Sequence, residues 1–190
     1  MIKNLFIGSD HGGFDLKLQL LNLINEVTCS TSSFVKQHPQ YENNTTENEF
    51  LSLSEWKPID LGCFSLDSVN YTDIAEKVCK NLIEENTKET NLNNLQAVST
   101  IDCLQLPSLG LLICGSGQGM AMKANKYSGI RAALVWNETI SALSREHNNA
   151  NILCLPGRFM DQTTAFKCLL KFLNTPFAQG RHSDRVKKIN

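Results

Sequence analysis

Short apolar runs alternate with helix-period segments along almost the whole chain, and this alternation restricts the possible architecture more than any other feature. Residues 3–8 (KNLFIG) read as a strand, and 13–26 place Phe14, Leu18 and Leu21 at helical spacing. The pair repeats at 58–62 and 69–85, where Ile74, Val78 and Leu82 share a helical stripe. Residues 109–113 are a continuous apolar run ending in a glycine-rich turn, followed by a helical segment at 120–126. A fourth strand is expected at 131–136 with a helix at 138–146, a fifth at 151–155 with a helix at 161–173, and one more helix in the tail. Regular βα alternation implies a parallel sheet with helices on both faces. The expected fold is α/β: a single-domain, Rossmann-like three-layer sandwich with a five-stranded parallel sheet in the order 2-1-3-4-5 and a C-terminal helix. Such sheets bind ligands beyond the C-terminal ends of their strands, so functional residues are expected just after each strand.

Two stretches interrupt the pattern. Residues 28–57 contain the polar block Gln40-Tyr-Glu-Asn-Asn-Thr-Thr-Glu-Asn-Glu49, and 86–108 are rich in Asn and Thr. Loops of that length are uncommon inside a compact domain, so both read as polar surface insertions within one domain spanning 1–190. Each precedes a strand, which puts it at the edge opposite the expected ligand site.

Charge does not direct the chain to a polyanion. With 18 Lys and Arg against 19 Asp and Glu, there is no global field to attract nucleic acid or an anionic membrane, and any bound anion needs a local cationic cluster. No apolar run approaches the roughly 18 residues that span a bilayer, and residues 1–10 lack the apolar core of a secretory signal. The expected setting is the cytosol, without nucleic-acid or membrane partners. The seven cysteines, Cys29, Cys63, Cys79, Cys103, Cys114, Cys154 and Cys168, are scattered and form no CxxC pair. That argues against a disulfide framework or a zinc site and for reduced thiols, most of them core filler.

Chemistry concentrates in a few segments. After the first strand, Ser9-Asp10-His11-Gly12-Gly13 either caps a helix through Asp10 or brings acid, base and backbone donors to a ligand. After the third, Cys114-Gly115-Ser116-Gly117-Gln118-Gly119 opens into a helix. It matches neither the dinucleotide fingerprint nor a Walker loop. Closely spaced glycines at a helix start can still present N–H donors to an oxyanion, and a thiol beside them is a nucleophile or base unless it is merely a small buried residue. Arg145-Glu-His147-Asn148-Asn149 offers an imidazole, or a histidine that only complements a helix C-terminus. Arg158 follows the fifth strand. Arg181 and Arg185 are four apart and share a helical face, either as a phosphate fork or as solvated surface charges.

Together these segments resemble type B ribose-5-phosphate isomerase, whose family also contains the subunits of galactose-6-phosphate isomerase. The resemblance rests on Gly8-Ser-Asp-His-Gly-Gly13, Val69-Asn-Tyr71 with Asp73-Ile-Ala75, Gly110-Leu-Leu-Ile-Cys-Gly-Ser-Gly-Gln-Gly119, Ala124-Asn-Lys126 with Gly129-Ile-Arg-Ala132, Ser144-Arg-Glu-His-Asn148 with Asn151, Gly157-Arg158, and Gly180-Arg-His182 with Arg185. It implies interconversion of ribose 5-phosphate and ribulose 5-phosphate, a step of the pentose phosphate pathway, through a cis-enediolate and with neither metal nor cofactor. By the same resemblance, Cys114 is the base that moves a proton between C2 and C1. The N–H groups of Gly115, Ser116, Gly117, Gln118 and Gly119 hold the enediolate oxygen. His147, assisted by Asp10, opens the sugar ring, and Asn148 and Tyr71 bind hydroxyls. His11, Arg158, Arg181 and Arg185 bind phosphate, some of them in a neighbouring subunit's site, which implies a homodimer or a dimer of dimers with shared active sites.

The chain departs from the family where Asn70-Tyr71-Thr72 replaces Asp-Tyr-Pro. The insertions are expected to modify the surface or subunit contacts, so that deleting Gln40 to Glu49 from a folded protein leaves turnover. Two other readings remain open: an isomerase of a six-carbon sugar phosphate such as allose or galactose 6-phosphate, and a sugar-phosphate sensor without catalysis. A sensor would need the phosphate clamp but neither Cys114 nor His147.

Overall fold

The computed structural model describes residues 2–41, 46–90 and 101–189. Each apolar run becomes a strand: β1 (Lys3–Ser9), β2 (Trp56–Asp60), β3 (Ser108–Cys114), β4 (Ala132–Leu134) and β5 (Ile152–Pro156). All neighbours pair in parallel, with Ile7 between Asp60 and Leu111, and Cys114 opposite Pro156. Successive residues face opposite layers. Leu5, Ile7, Leu111, Ile113, Leu153 and Leu155 enter one core, and Phe6, Leu112, Cys114, Ile152 and Cys154 the other. The first core is covered by α1 (Phe14–Cys29) and by α7 (Gln162–Asn174), which packs against α6 (Glu138–Asn148); α4 (Tyr71–Thr90) and α5 (Gln118–Ala124) cover the second. The three-layer α/β architecture is as expected. Among the described residues, no helix is long and apolar enough to cross a membrane.

The strand order is 2-1-3-5-4 rather than the expected 2-1-3-4-5. All five residues of β5 are buried, whereas β4 has only three residues, each half-buried. A run apolar on both faces belongs inside a parallel sheet, and the short, partly solvated strand takes the edge.

Helix α1 turns a different face inward from the one its spacing suggests. Leu16, Leu20, Leu23, Ile24 and Val27 are buried, while Leu18 is 42% exposed. Leucines are dense enough in α1 to make two apolar stripes, and Lys17 lies on the buried one. Its ammonium meets Asp60 Oδ1 and Oδ2 at 2.7 and 2.8 Å, so the end of β2 satisfies a charge that would otherwise keep that stripe in water.

Within 28–57, expected at the surface, the described residues instead complete the first core. Helix α2 (Thr31–Gln37), a 3-10 turn (Pro39–Tyr41), α3 (Glu47–Leu51) and a second 3-10 turn (Ser52–Glu55) bury Phe34, Tyr41, Phe50 and Leu53. The ring of Phe34 stacks on Tyr41, whose edge meets Phe166 of α7 at 5.2 Å, and Glu49 pairs with Lys171 at 2.7 Å. Four apolar residues spaced irregularly among Ser, Thr, Asn and Glu form no stripe, which hides their burial in the sequence. Residues 42–45 of the polar block and 91–100 of the second stretch lie outside the described residues.

Candidate active site

Ten of the expected residues gather at the C-terminal edge of the sheet. β3 ends at Cys114, which is buried and faces the second core. Its carbonyl accepts from the N–H groups of Gly117 (3.3 Å) and Gly157 (2.9 Å), and Gly115 O accepts from Arg158 N–H at 3.0 Å, which ties the loop to the end of β5. Gly117 has φ of 73°, a left-handed conformation that a side chain would strain, and it turns the chain into α5. Gln118 N–H donates to Ser116 Oγ at 3.4 Å.

Neighbouring loops close around this turn. A carbon added at Gly115 would stand 3.4 Å from Cδ and Nε of Arg158, so the arginine stem lies over the loop. One added at Gly119 would stand 2.8 Å from the Tyr71 ring, which forms the opposite wall. Asp10 is nearly buried and accepts the Gly13 N–H through Oδ1 at 3.0 Å, so it does act as a turn cap. Its Oδ1 also lies 3.2 Å from the position of a carbon added at Gly12, beside the Gly115 backbone. The Nδ1 of His11 accepts from Val69 N–H at 3.4 Å.

Helix α4 begins at Tyr71, and Asn70, which stands where the family has aspartate, caps it. Its Oδ1 accepts from Thr72 N–H (3.2 Å) and Thr72 Oγ1 (2.9 Å), while Asn70 O accepts from Asp73 N–H. An Asn cap therefore replaces the rigid proline turn and sets Tyr71 against the glycine loop.

The other four residues, His147, Asn148, Arg181 and Arg185, stand at the opposite edge. His147 and Asn148 lie away from the C-terminal strand ends, where functional residues are expected, because α6 runs back antiparallel to the strands. It leaves the C-terminal end of β4, capped by Asn137 Oδ1 on Ile140 N–H, and ends before β5 begins. Just beyond it, Asn149 turns the chain at φ 49°, and Asn151 Oδ1 accepts from Arg131 N–H, next to the start of β4. Ile152, where β5 starts, and Pro156, beside Cys114, are separated by about 13 Å of strand.

Helix α8 (Arg181–Lys187) packs on this end of α6. The rings of His147 and His182 stack at 4.4 Å and 4°, and Arg181 Nε donates to His182 Nε2 at 3.4 Å. Burial, followed by the nearby His147, Arg181 and Arg185, holds the His182 imidazole below its ordinary pKa. Arg181 and Arg185 are exposed on α8, and Asn148 is exposed beside His147.

Two ion pairs, one half-buried and one buried, escaped sequence reasoning. Lys17 with Asp60 braces the loop between β2 and α4, where Lys17 Nζ also donates to Cys63 O and lies 5.2 Å from the Phe64 ring. Arg145 with Asp102 lies under the His147 end of α6. Arg145 adjoins the His147 motif, but nothing local pairs it with an acid 43 positions away. Among the described residues, no three His, Cys, Asp or Glu side chains are grouped to hold a metal ion. Of the other six thiols, Cys63, Cys79, Cys103, Cys154 and Cys168 are buried. Burial raises Cys79 and Cys168 to about 12 and Cys154 well above its usual value, whereas Cys29 is exposed rather than core filler.

A family model described as Ribose/Galactose Isomerase matches residues 96–189. The chain is 32% identical over 187 residues to the "Probable ribose-5-phosphate isomerase B" of Mycoplasma genitalium, covering 98% of this chain and 93% of that protein. Its fold superposes on ribose 5-phosphate isomerase B of Thermotoga maritima with a TM-score of 0.67 and 33% identity, covering 98% of this chain and 97% of the other. The type B ribose 5-phosphate isomerase of Trypanosoma cruzi gives 0.71 at 29% identity, covering 100% of this chain and 95% of that one.

Proposed function

The chain belongs to the type B ribose-5-phosphate isomerase family, and from that premise we propose that it interconverts ribose 5-phosphate and ribulose 5-phosphate at sites completed by a second copy of itself. The supporting observation is the glycine loop that begins at Cys114, with Asp10, His11, Tyr71 and Arg158 around it. A thiolate at Cys114 takes the proton from C2 of the open-chain aldose. The C–H electron pair forms the C1–C2 double bond of the enediolate, and the charge that develops on O1 is met by N–H groups of Gly115 to Gly119. The proton returns to C1, the O2 hydroxyl proton passes to O1, and C2 becomes the carbonyl. Ring opening before this step needs one group to take the proton of the anomeric hydroxyl and another to protonate the ring oxygen. His147 and Asp10 supply that pair.

Within one chain, His147 and Asp10 are at opposite edges of the sheet, so the His147 that serves a given Cys114 comes from a partner, together with Asn148, Arg181 and Arg185. Apolar side chains around the Cys114 edge fit a covering partner: Phe64 and Leu66 after β2, Trp136 after β4 and Phe159, 79% exposed, after β5. In that arrangement His11, Arg158 and the partner's two α8 guanidiniums hold the phosphate, whose binding energy orients the reacting carbons. The arrangement is a homodimer or a dimer of dimers in the cytoplasm, in keeping with seven free thiols.

Turnover of ribose 5-phosphate, compared with allose 6-phosphate and galactose 6-phosphate, tests the substrate. Preference for a six-carbon sugar would replace the pentose assignment, and no turnover of any of them would leave only a sensor. Cys114→Ser is expected to lower kcat by on the order of 10² or more with a small change in KM. An undiminished rate would overturn the base assignment.

A further inference from the structure

The second polar stretch was expected to stay clear of catalysis, yet Asp102 at its end joins the two elements that carry His147 and the α8 arginines. Asp102 Oδ1 accepts from Arg145 Nη2 at 2.9 Å and from Leu104 N–H at 3.0 Å. Its Oδ2 accepts from Phe177 N–H at 2.9 Å, three residues before the α8 cap Gly180. Arg145 is fully buried on α6, two residues before His147. It also donates to Ala150 O and lies 5.4 Å from the Phe172 ring. A second link spans the same joint, since Ala178 N–H donates to Glu146 O at 3.0 Å. Flanking residues hold the turn after His147: Asn149 Oδ1 accepts from Cys103 N–H at 2.9 Å, and Asn149 Nδ2 donates to Ile101 O at 2.7 Å.

Resting on the reading above, we propose that Asp102 is a positioning residue that sets the spacing between His147 and the phosphate-binding Arg181 and Arg185. A carboxylate suits this joint because it presents two acceptor oxygens, one towards α6 and one towards the backbone leading into α8. An amide has a single acceptor, so Asn at 102 turns an N–H donor against either the guanidinium or the Phe177 N–H and releases one side. It also leaves the buried Arg145 without its counter-charge. A shift of α8 relative to α6 misplaces the arginines relative to His147 while leaving the Cys114 loop of the same chain intact.

The test combines steady-state kinetics with calorimetric titration of inorganic phosphate into the intact wild-type assembly, Asp102→Asn and Asp102→Glu. The expected result is that Asp102→Asn raises both KM for ribose 5-phosphate and Kd for phosphate about tenfold, by more than it lowers kcat per folded site. Asp102→Glu, which keeps both acceptors, should recover part of the loss. A merely structural role would lower thermal stability and the folded fraction while the folded molecules kept wild-type KM and Kd. That outcome overturns the proposal. Should the Asn variant not fold, the Glu variant carries the same readout: Kd and KM rise together, or both stay within twofold of wild type and the proposal fails. Wild type that binds phosphate without turning over the sugar would sink the isomerase reading instead.

Discussion

The His182 imidazole, stacked on that of His147, makes the joint between α6 and α8 sensitive to acid. The His182 pKa is held below its ordinary 6.5 by burial and by three neighbours, His147, Arg181 and Arg185, while Glu146 pulls the other way. The unfolded chain therefore binds the His182 proton at a pH where the native chain does not, so stability rises with pH through that window and falls on acidification below about 6.5. The melting temperature is expected to drop from pH 7 towards pH 5, and His182→Gln should make that slope shallower in thermal unfolding followed across pH. An unchanged slope would show that other groups set it. Burial also acts at the scale of single thiols, raising the pKa of Cys79, Cys154 and Cys168.

At the scale of elements, the segment between α1 and β2 shows how a polar composition conceals a structural role. Phe34 is buried among Tyr41, Phe50 and Phe166, with ring centroids 5.6 to 5.8 Å away. Phe34→Ala is expected to cost about 3–5 kcal/mol by removing a buried ring and leaving a cavity, measured by denaturant unfolding. A cost under about 1 kcal/mol, the range of surface positions, would show that the segment is dispensable packing. Deleting Gln40 to Glu49 removes buried Tyr41 and the Glu49 contact to Lys171, so the deletion acts on the core before it can report on turnover. Helix α6 makes a different point. Its sequence announced both a helix and a histidine, but its direction, forced by the parallel connection from β4 to β5, carries His147 away from Cys114.

For the whole molecule, the proposed sharing of Cys114 and His147 between two copies predicts complementation. Cys114→Ser and His147→Asn are each expected to be nearly inactive alone. In randomly assorted dimers half the molecules are mixed, and each mixed dimer holds one intact pair of Cys114 and His147, so activity should recover to about a quarter of wild type. No recovery in subunits shown to exchange would overturn the shared-site reading.

The sequence by itself determined the α/β class, because alternating apolar runs and helical stripes are local patterns that only a parallel sheet with crossover helices satisfies. It also singled out the residues proposed to carry the chemistry, since Asp10, Cys114, His147 and the arginines sit in short motifs readable without a fold. Tertiary structure alone decided the rest. The order of β4 and β5 depends on how much of each strand is buried, the inward face of α1 on whether Asp60 can neutralise Lys17, and the partner of Arg145 on an acid far away in the chain. The separation of His147 from Cys114 depends on helix direction, which sets residues of neighbouring motifs at two edges of the sheet that cannot meet within one molecule.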